Sequence, residues 1–231
     1  MQNKTIGIIG GVGPQATSYL YSKIIELSQT KHNARNNDEF PHLIIESLPI
    51  PDFISNKNDL SVAKEMLVSA INRFEGAKVD RICIASNTVH ILLEELGAYT
   101  SIKFLSIIDL VTLRCKQNKY KKVALLGTPT LVSSGLYQKS FLENDMLLIT
   151  PDDTQLEIIE MIIRGVIAGQ VPDEQKGKYI EVMNDLYDKG AEAVILGCTE
   201  LPLAFDYQVL GKRAINSDEV LAEGIVDYYY N

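Results

Sequence analysis

The stretch RICIASNTVH, residues 81–90, is a short β-branched run that breaks into a polar turn, and EAVILGCTEL, residues 192–201, repeats its shape. Apolar runs of this length bounded by turn residues read as buried strands. Just past the strand stands Ser86 in the first stretch and Cys198 in the second. The same turn is built twice, and only one copy carries a thiol.

Outward from these two stretches the likeness continues. KTIGIIGG at 4–11 lines up with KKVALLGT at 121–128, RICIASNT with EAVILGCT, and LSIIDLV at 105–111 with RAINSDEV at 213–220. The offsets shrink only slightly along the chain, as loop-length differences within an internal repeat allow. Between the repeats, strands alternate with helical segments. TIGIIG precedes a helix from Pro14 to Thr30, and HLIIES precedes one from Leu60 to Glu75. RICIAS precedes one from His90 to Leu96, and KFLSII precedes one from Asp109 to Lys119. The second half follows with KVALLG, a helix after Pro129, MLLIT, helices at 152–168 and 173–189, AVILG, RAINS and a last helix from Asp218. Ala63, Leu67, Ile71 and Phe74 share one stripe, as a helix covering a sheet face requires. The alternation predicts an α/β fold of two pseudosymmetric parallel-sheet half-domains, residues 1–119 and 120–231, with the last helix free to cross back. Ligands gather at the carboxyl ends of strands in such sheets, so Ser86 and Cys198 are expected at strand ends lining a cleft between the halves. The plainer reading is that any two α/β units look alike.

Composition bounds the partners. The 231 residues carry a formal net charge of −8, which disfavours nucleic acid and anionic membranes and leaves small molecules as the expected ligands. No basic leader with an apolar run and no apolar stretch of spanning length is legible, so a cytoplasmic protein is expected. Three cysteines, Cys83, Cys115 and Cys198, form neither a disulfide framework nor a zinc spacing, and no metal is expected.

The loop GGVGPQAT at 10–17 satisfies a weak dinucleotide pattern through Gly11, Gly13 and Ala16. No acidic residue stands where a ribose would need one, and Pro14 removes an amide, so a small carboxylate is the better guest for this helix start. Cys198 lies in a polar turn before an expected helix, a position that suits a nucleophile or base. Cys83, inside its strand, and Cys115, on a helix, read as structural thiols.

Taken together, GGVGPQAT, SNTVH, GTPT at 127–130 and GCTEL at 197–201 resemble the aspartate/glutamate racemase family, aspartate racemase branch, over nearly the whole chain. The resemblance implies a cofactor-independent racemase, without pyridoxal phosphate, that acts on a small acidic amino acid, aspartate or glutamate, as a homodimer. One thiol would stand on each side of the substrate α-carbon, which gives the duplication a chemical reason, since racemisation needs an acid and a base on opposite faces. Residue by residue, Cys198 is the base and Ser86 holds the opposite acid/base position. Gly11, Gly13, Asn87, Thr88, Thr128, Thr130 and Thr199 would bind substrate. Arg164 stands where the family often has a lysine for a substrate carboxylate; the alternative for it is a solvated helix residue.

Two positions depart from that pattern. Ser86 replaces a cysteine, either natively or by substitution, and a hydroxyl is a poor base without help; His90 is a candidate helper or else a packing residue. Phe53 stands where relatives acting on aspartate often have an arginine, so one carboxylate clamp is missing. Two other readings stay open: a single-cysteine malonate-type decarboxylase, and a non-catalytic amino-acid binding relative.

Overall fold

The computed structural model describes residues 4–51, 60–207 and 213–231; Phe53 lies outside the described residues. Contacts divide the chain into two units, one of residues 4–51, 60–110 and 218–231 and one of residues 111–207 and 213–217. The division falls between Leu110 and Val111 rather than at 119/120. The reason lies in side chains: Thr112 and Ser140 share a hydrogen bond at 2.8 Å, and Lys116 donates to Asn144, so residues 111–119 are tied to the second unit.

The first unit holds a parallel sheet of β1 (Thr5–Gly10), β2 (His42–Ser47), β3 (Arg81–Ile84) and β4 (Phe104–Leu105), in the order β2-β1-β3-β4. Helix α1 (Pro14–His32) starts with proline at its first position, where no amide is needed, and stops at Asn33 in the left-handed region. Helix α2 (Leu60–Gly76) buries Ala63, Leu67, Ala70, Ile71 and Phe74, the stripe that the sequence spacing predicts. After β3 a tight 3-10 turn, Thr88–Leu92, runs into α3 (Leu93–Leu96), so the expected helix from His90 is split. The expected strand KFLSII is cut to two residues. Ser106 receives the Asp109 amide on its side chain and the Leu110 amide on its carbonyl, which caps α4 (Ile107–Gln117) and ends the strand early.

The second unit repeats the plan with β5 (Lys122–Leu126), β6 (Leu147–Ile149), β7 (Ala193–Leu196) and β8 (Ala214–Asn216), again all parallel and in the order β6-β5-β7-β8. Two short helices, α5 (Pro129–Ser133) and α6 (Leu136–Leu142), stand where one was expected after Pro129. Helix α7 (Asp153–Ile167) opens with a reciprocal capping box between Asp152 and Gln155. Ile159, Ile162, Ile163 and Val166 of α7 pack with Tyr179, Val182, Met183 and Leu186 of α8 (Asp173–Asp188) over β5 and β7. The chain closes with α9 (Leu201–Ala204) and α10 (Ser217–Tyr230), whose residues from Asp218 on belong to the first unit. Among the described residues no helix is long and apolar enough to cross a membrane.

Candidate active site

In each sheet the chain leaves the first strand for one edge and returns to the other side with the third, so the strand order reverses between β1 and β3 and between β5 and β7. A ligand site in a parallel sheet lies past the carboxyl ends of strands at such a reversal. Strand register fixes which residues are equivalent there. Ile9 pairs with Ile84 and Leu126 with Leu196, and the next amide of each third strand donates back to the first: Ala85 to the Ile9 carbonyl, Gly197 to that of Leu126. One residue further on, Ser86 and Cys198 occupy the same place in the two units.

In the second unit Cys198 is 7 % exposed, at the end of β7. Gly197 is required before it, because a Cβ there would come within 2.6 Å of Leu125 and 3.0 Å of the Leu126 carbonyl. The Cys198 thiol donates to Glu200 Oε2 at 3.0 Å, and the Thr199 hydroxyl donates to the same oxygen at 3.0 Å. Glu200 is only 3 % exposed, a carboxylate kept inside because two donors serve it. The helix expected to favour a thiolate is the four-residue α9, with Glu200 at its N-cap. Its dipole is slight, and the group next to the thiol is a proton acceptor. Thr128 caps α5, accepting the Leu131 amide at 3.0 Å, and Thr130 is buried inside that helix. Thr128, Thr130, Cys198 and Thr199 thus all follow β5 or β7.

In the first unit Ser86, Asn87 and Thr88 are buried past the end of β3. Gly11 and Gly13 follow β1. The Gly11 amide donates to Thr17 Oγ1 at 2.9 Å, and that hydroxyl donates to the Gly13 carbonyl, so one of the loop amides is already spent. Gly11 has φ +87, and a Cβ on it would meet the Leu48 backbone at 2.4 Å. His90 does not serve the Ser86 hydroxyl. Its Nε2 accepts the Ile107 amide at 3.2 Å, which leaves the proton on Nδ1 to be donated to the Ser86 carbonyl at 2.8 Å. Burial lowers its pKa to about 4, so the ring is neutral near pH 7. It fastens the Ser86 turn to the start of α4.

Arg164 is exposed on α7, where its Nε donates to Glu160 Oε1 at 2.9 Å. Cys83 and Cys115 are the buried, inert thiols that their settings predict: burial pushes Cys83 far up and Cys115 up to about 12. Among the described residues no cluster of His, Cys, Asp and Glu is arranged to hold a metal ion. Glu200 is the site residue that reading the sequence for chemistry passes over. Its signal was present in GCTE, a carboxylate two residues from a thiol.

Residues 9–223 match the family described as Asp/Glu/Hydantoin racemase. The chain belongs to that family. It is 27% identical to a broad specificity amino-acid racemase of Bacillus subtilis (strain 168), with 97% of both chains covered. The structure of Picrophilus torridus aspartate racemase superposes with a TM-score of 0.84 at 28% identity, covering 98% of this chain and 94% of that one. An aspartate racemase homologue from Pyrococcus horikoshii OT3 gives 0.80 at 30% identity over 99% of this chain and 100% of that one. The two solved structures share the α/β fold of this chain over nearly its whole length, and the relatives named as racemases are isomerases of amino acids.

Proposed function

We propose that this member of the racemase family inverts the α-carbon of a small acidic amino acid, aspartate or glutamate, without a cofactor, using Cys198 and Ser86 as its two acid/base positions. The observation that carries the reading is the Cys198 thiol, set past β7 at the strand reversal with its proton directed at the buried Glu200. Glu200 can receive that proton and leave a thiolate to remove the substrate α-proton. The carbanion is then reprotonated on its other face from the Ser86 side, where a hydroxyl or a water carried by it supplies the proton. The amides and hydroxyls of Gly11, Gly13, Asn87, Thr88, Thr128, Thr130 and Thr199 are the proposed binding groups for substrate carboxylate and amino groups. Their short side chains bring donors without further buried charge. Arg164 would take a second carboxylate by exchanging it for Glu160. The names of the relatives support both an acidic substrate and a wider range, and the aspartate assignment is the one tested first.

The test is α-proton exchange in deuterated water across a panel of L- and D-amino acids, with the parent protein and Cys198→Ala. Exchange of aspartate or glutamate in the parent, lost in Cys198→Ala, is expected. Full exchange in the variant would remove Cys198 from the mechanism. A second reading draws on the serine: with only one thiol at the two equivalent places, one-sided protonation of an enolate, as in a malonate-type decarboxylase, is chemically sufficient. Carbon dioxide release from a substituted malonate, with no exchange of any amino acid, would select it.

A further inference from the structure

Past β7 three successive side chains meet at one atom. Glu200 Oε2 accepts from the Cys198 thiol at 3.0 Å and from the Thr199 hydroxyl at 3.0 Å. All three side chains are buried, a setting in which a donor to a carboxylate counts for more than it does in water. A hydroxyl has a single proton to donate. With that proton given to Glu200, the Thr199 side chain can meet a ligand only as an acceptor, which narrows the part it plays in holding a substrate carboxylate. The trio is not imposed by the fold. By strand register Ser86, Asn87 and Thr88 stand in the first unit where Cys198, Thr199 and Glu200 stand in the second. The first unit thus builds the same strand end with no carboxylate at the third place. The carboxylate and the hydroxyl that serves it accompany the thiol, not the turn.

We infer that Thr199 is a positioning residue for the Cys198–Glu200 pair, its hydroxyl holding Glu200 Oε2 against the thiol and setting how readily that oxygen takes the proton; the role rests on the racemase reading of Cys198. A group beside a racemising carbon must be a base toward one enantiomer and an acid toward the other, so thiolate and thiol both have to be within reach. A donor to a carboxylate stabilises the ionised form and makes it less basic. Thr199 therefore keeps the resting proton on sulfur, where it is available for return to a carbanion. When the pair is called on as a base, the S–H bond of Cys198 breaks, an O–H bond forms at Glu200, and the negative charge passes from carboxylate to sulfur. The Thr199 hydroxyl keeps its own proton throughout and holds the carboxyl group in line for the way back.

Thr199→Val keeps the volume and loses the hydroxyl, and Thr199→Ser keeps the hydroxyl and loses the methyl. The readouts are the rate of iodoacetamide labelling at Cys198 near neutral pH, assigned by mass spectrometry, and kcat and KM for the amino acid that exchanges. Loss of a charge-assisted donor is expected to make Thr199→Val label about tenfold faster, since Glu200 then holds the proton more of the time and the sulfur is more often a thiolate. The thiol form needed to return a proton is depleted by the same change, so kcat should fall by a similar factor while KM stays within about twofold. Thr199→Ser should restore both. Should Thr199→Val fail to fold, Thr199→Ala is read in the same way. In a Glu200→Gln background Thr199→Val should leave labelling unchanged, because an effect that passes through the carboxylate has nothing left to act on. Faster labelling that persists in that background would come from looser packing and overturns the inference. So does an unmoved labelling rate in Thr199→Val, and a raised KM beside it would return the hydroxyl to the substrate. If labelling follows the expected pattern while Cys198→Ala keeps full exchange, the Thr199 role stands and the racemase reading falls. Exchange lost in Cys198→Ala with labelling unmoved in Thr199→Val removes the Thr199 role alone.

Discussion

Both ring nitrogens of His90 bind main chain, the Ser86 carbonyl and the Ile107 amide, so protonating the ring must break the second of these bonds. Burial, the larger cause, lowers its pKa from 6.5 to about 4, while the bond to Ser86 works weakly the other way. With the folded value below the unfolded one, the unfolded chain takes up the proton first. The stability that His90 contributes is therefore complete above about pH 6.5 and is lost as pH falls toward 4, in total on the order of 3 kcal/mol. Urea unfolding of the parent and of His90→Gln across this range should give curves that converge as the pH drops. Parallel curves would show that the ring does not titrate as its burial demands. At Glu200 the expectation concerns rate. Glu200→Gln keeps the shape but cannot take the Cys198 proton, and exchange should fall on the order of a hundredfold, the scale of general acid–base help. Unchanged exchange would make Glu200 a structural partner only. The partner of His90 was not legible beforehand, since Ile107 lies 17 residues away in sequence; at Glu200 the sequence showed a carboxylate two residues from the thiol but not its burial.

Helix α7 separates its two jobs by face. Ile159, Ile162, Ile163 and Val166 are buried, and Glu160 and Arg164, one turn apart, form an ion pair on the other side. An exposed pair at this spacing is worth only about 0.3–0.5 kcal/mol, so breaking it for a substrate carboxylate costs little. If that exchange occurs, Arg164→Ala should weaken acidic substrates relative to neutral ones by about 1.5–3 kcal/mol, and Glu160→Gln should favour the acidic ones. Comparing kcat/KM for aspartate and alanine in both variants checks this; an unchanged ratio would leave Arg164 as a surface residue. Periodicity revealed the buried stripe of α2 because burial repeats with the helix. It could not show which way Arg164 faces, since a guanidinium at the stripe's margin is compatible with either side. The start of α4 was misplaced for a similar reason. LSII reads as strand by composition, and the decision falls to the Ser106 side chain, which caps a helix instead.

At the scale of the molecule, the repeat seen in the sequence becomes two sheets with the same strand order, and equal register carries Ser86 onto the place of Cys198. Sequence alignment alone leaves that match open by a residue, because the letters of RICIASNT and EAVILGCT set Ser86 beside Gly197. Backbone pairing settles it: the amides of Ala85 and Gly197 make the equivalent bonds, so the next residues correspond. The substitution to test is therefore Ser86→Cys. With serine present, Cys198 can take the proton from one enantiomer while a hydroxyl or water returns it, and the reverse reaction asks serine to act as base. A one-way enzyme does not follow. Enantiomers in water have equal free energy, so kcat/KM must be the same in both directions, and only kcat and KM separately can differ. Under the proposed mechanism, serine raises a barrier that both directions share. A thiol in its place should lower that barrier and raise both kcat/KM values by one common factor, at least about tenfold, or about 1.4 kcal/mol. Circular dichroism of racemisation from each enantiomer, beside proton exchange, measures it. If both values stay unchanged in Ser86→Cys while Cys198→Ser abolishes activity, position 86 is not the second acid/base. The duplicated strand end would then serve a reaction that needs a thiol on one side only.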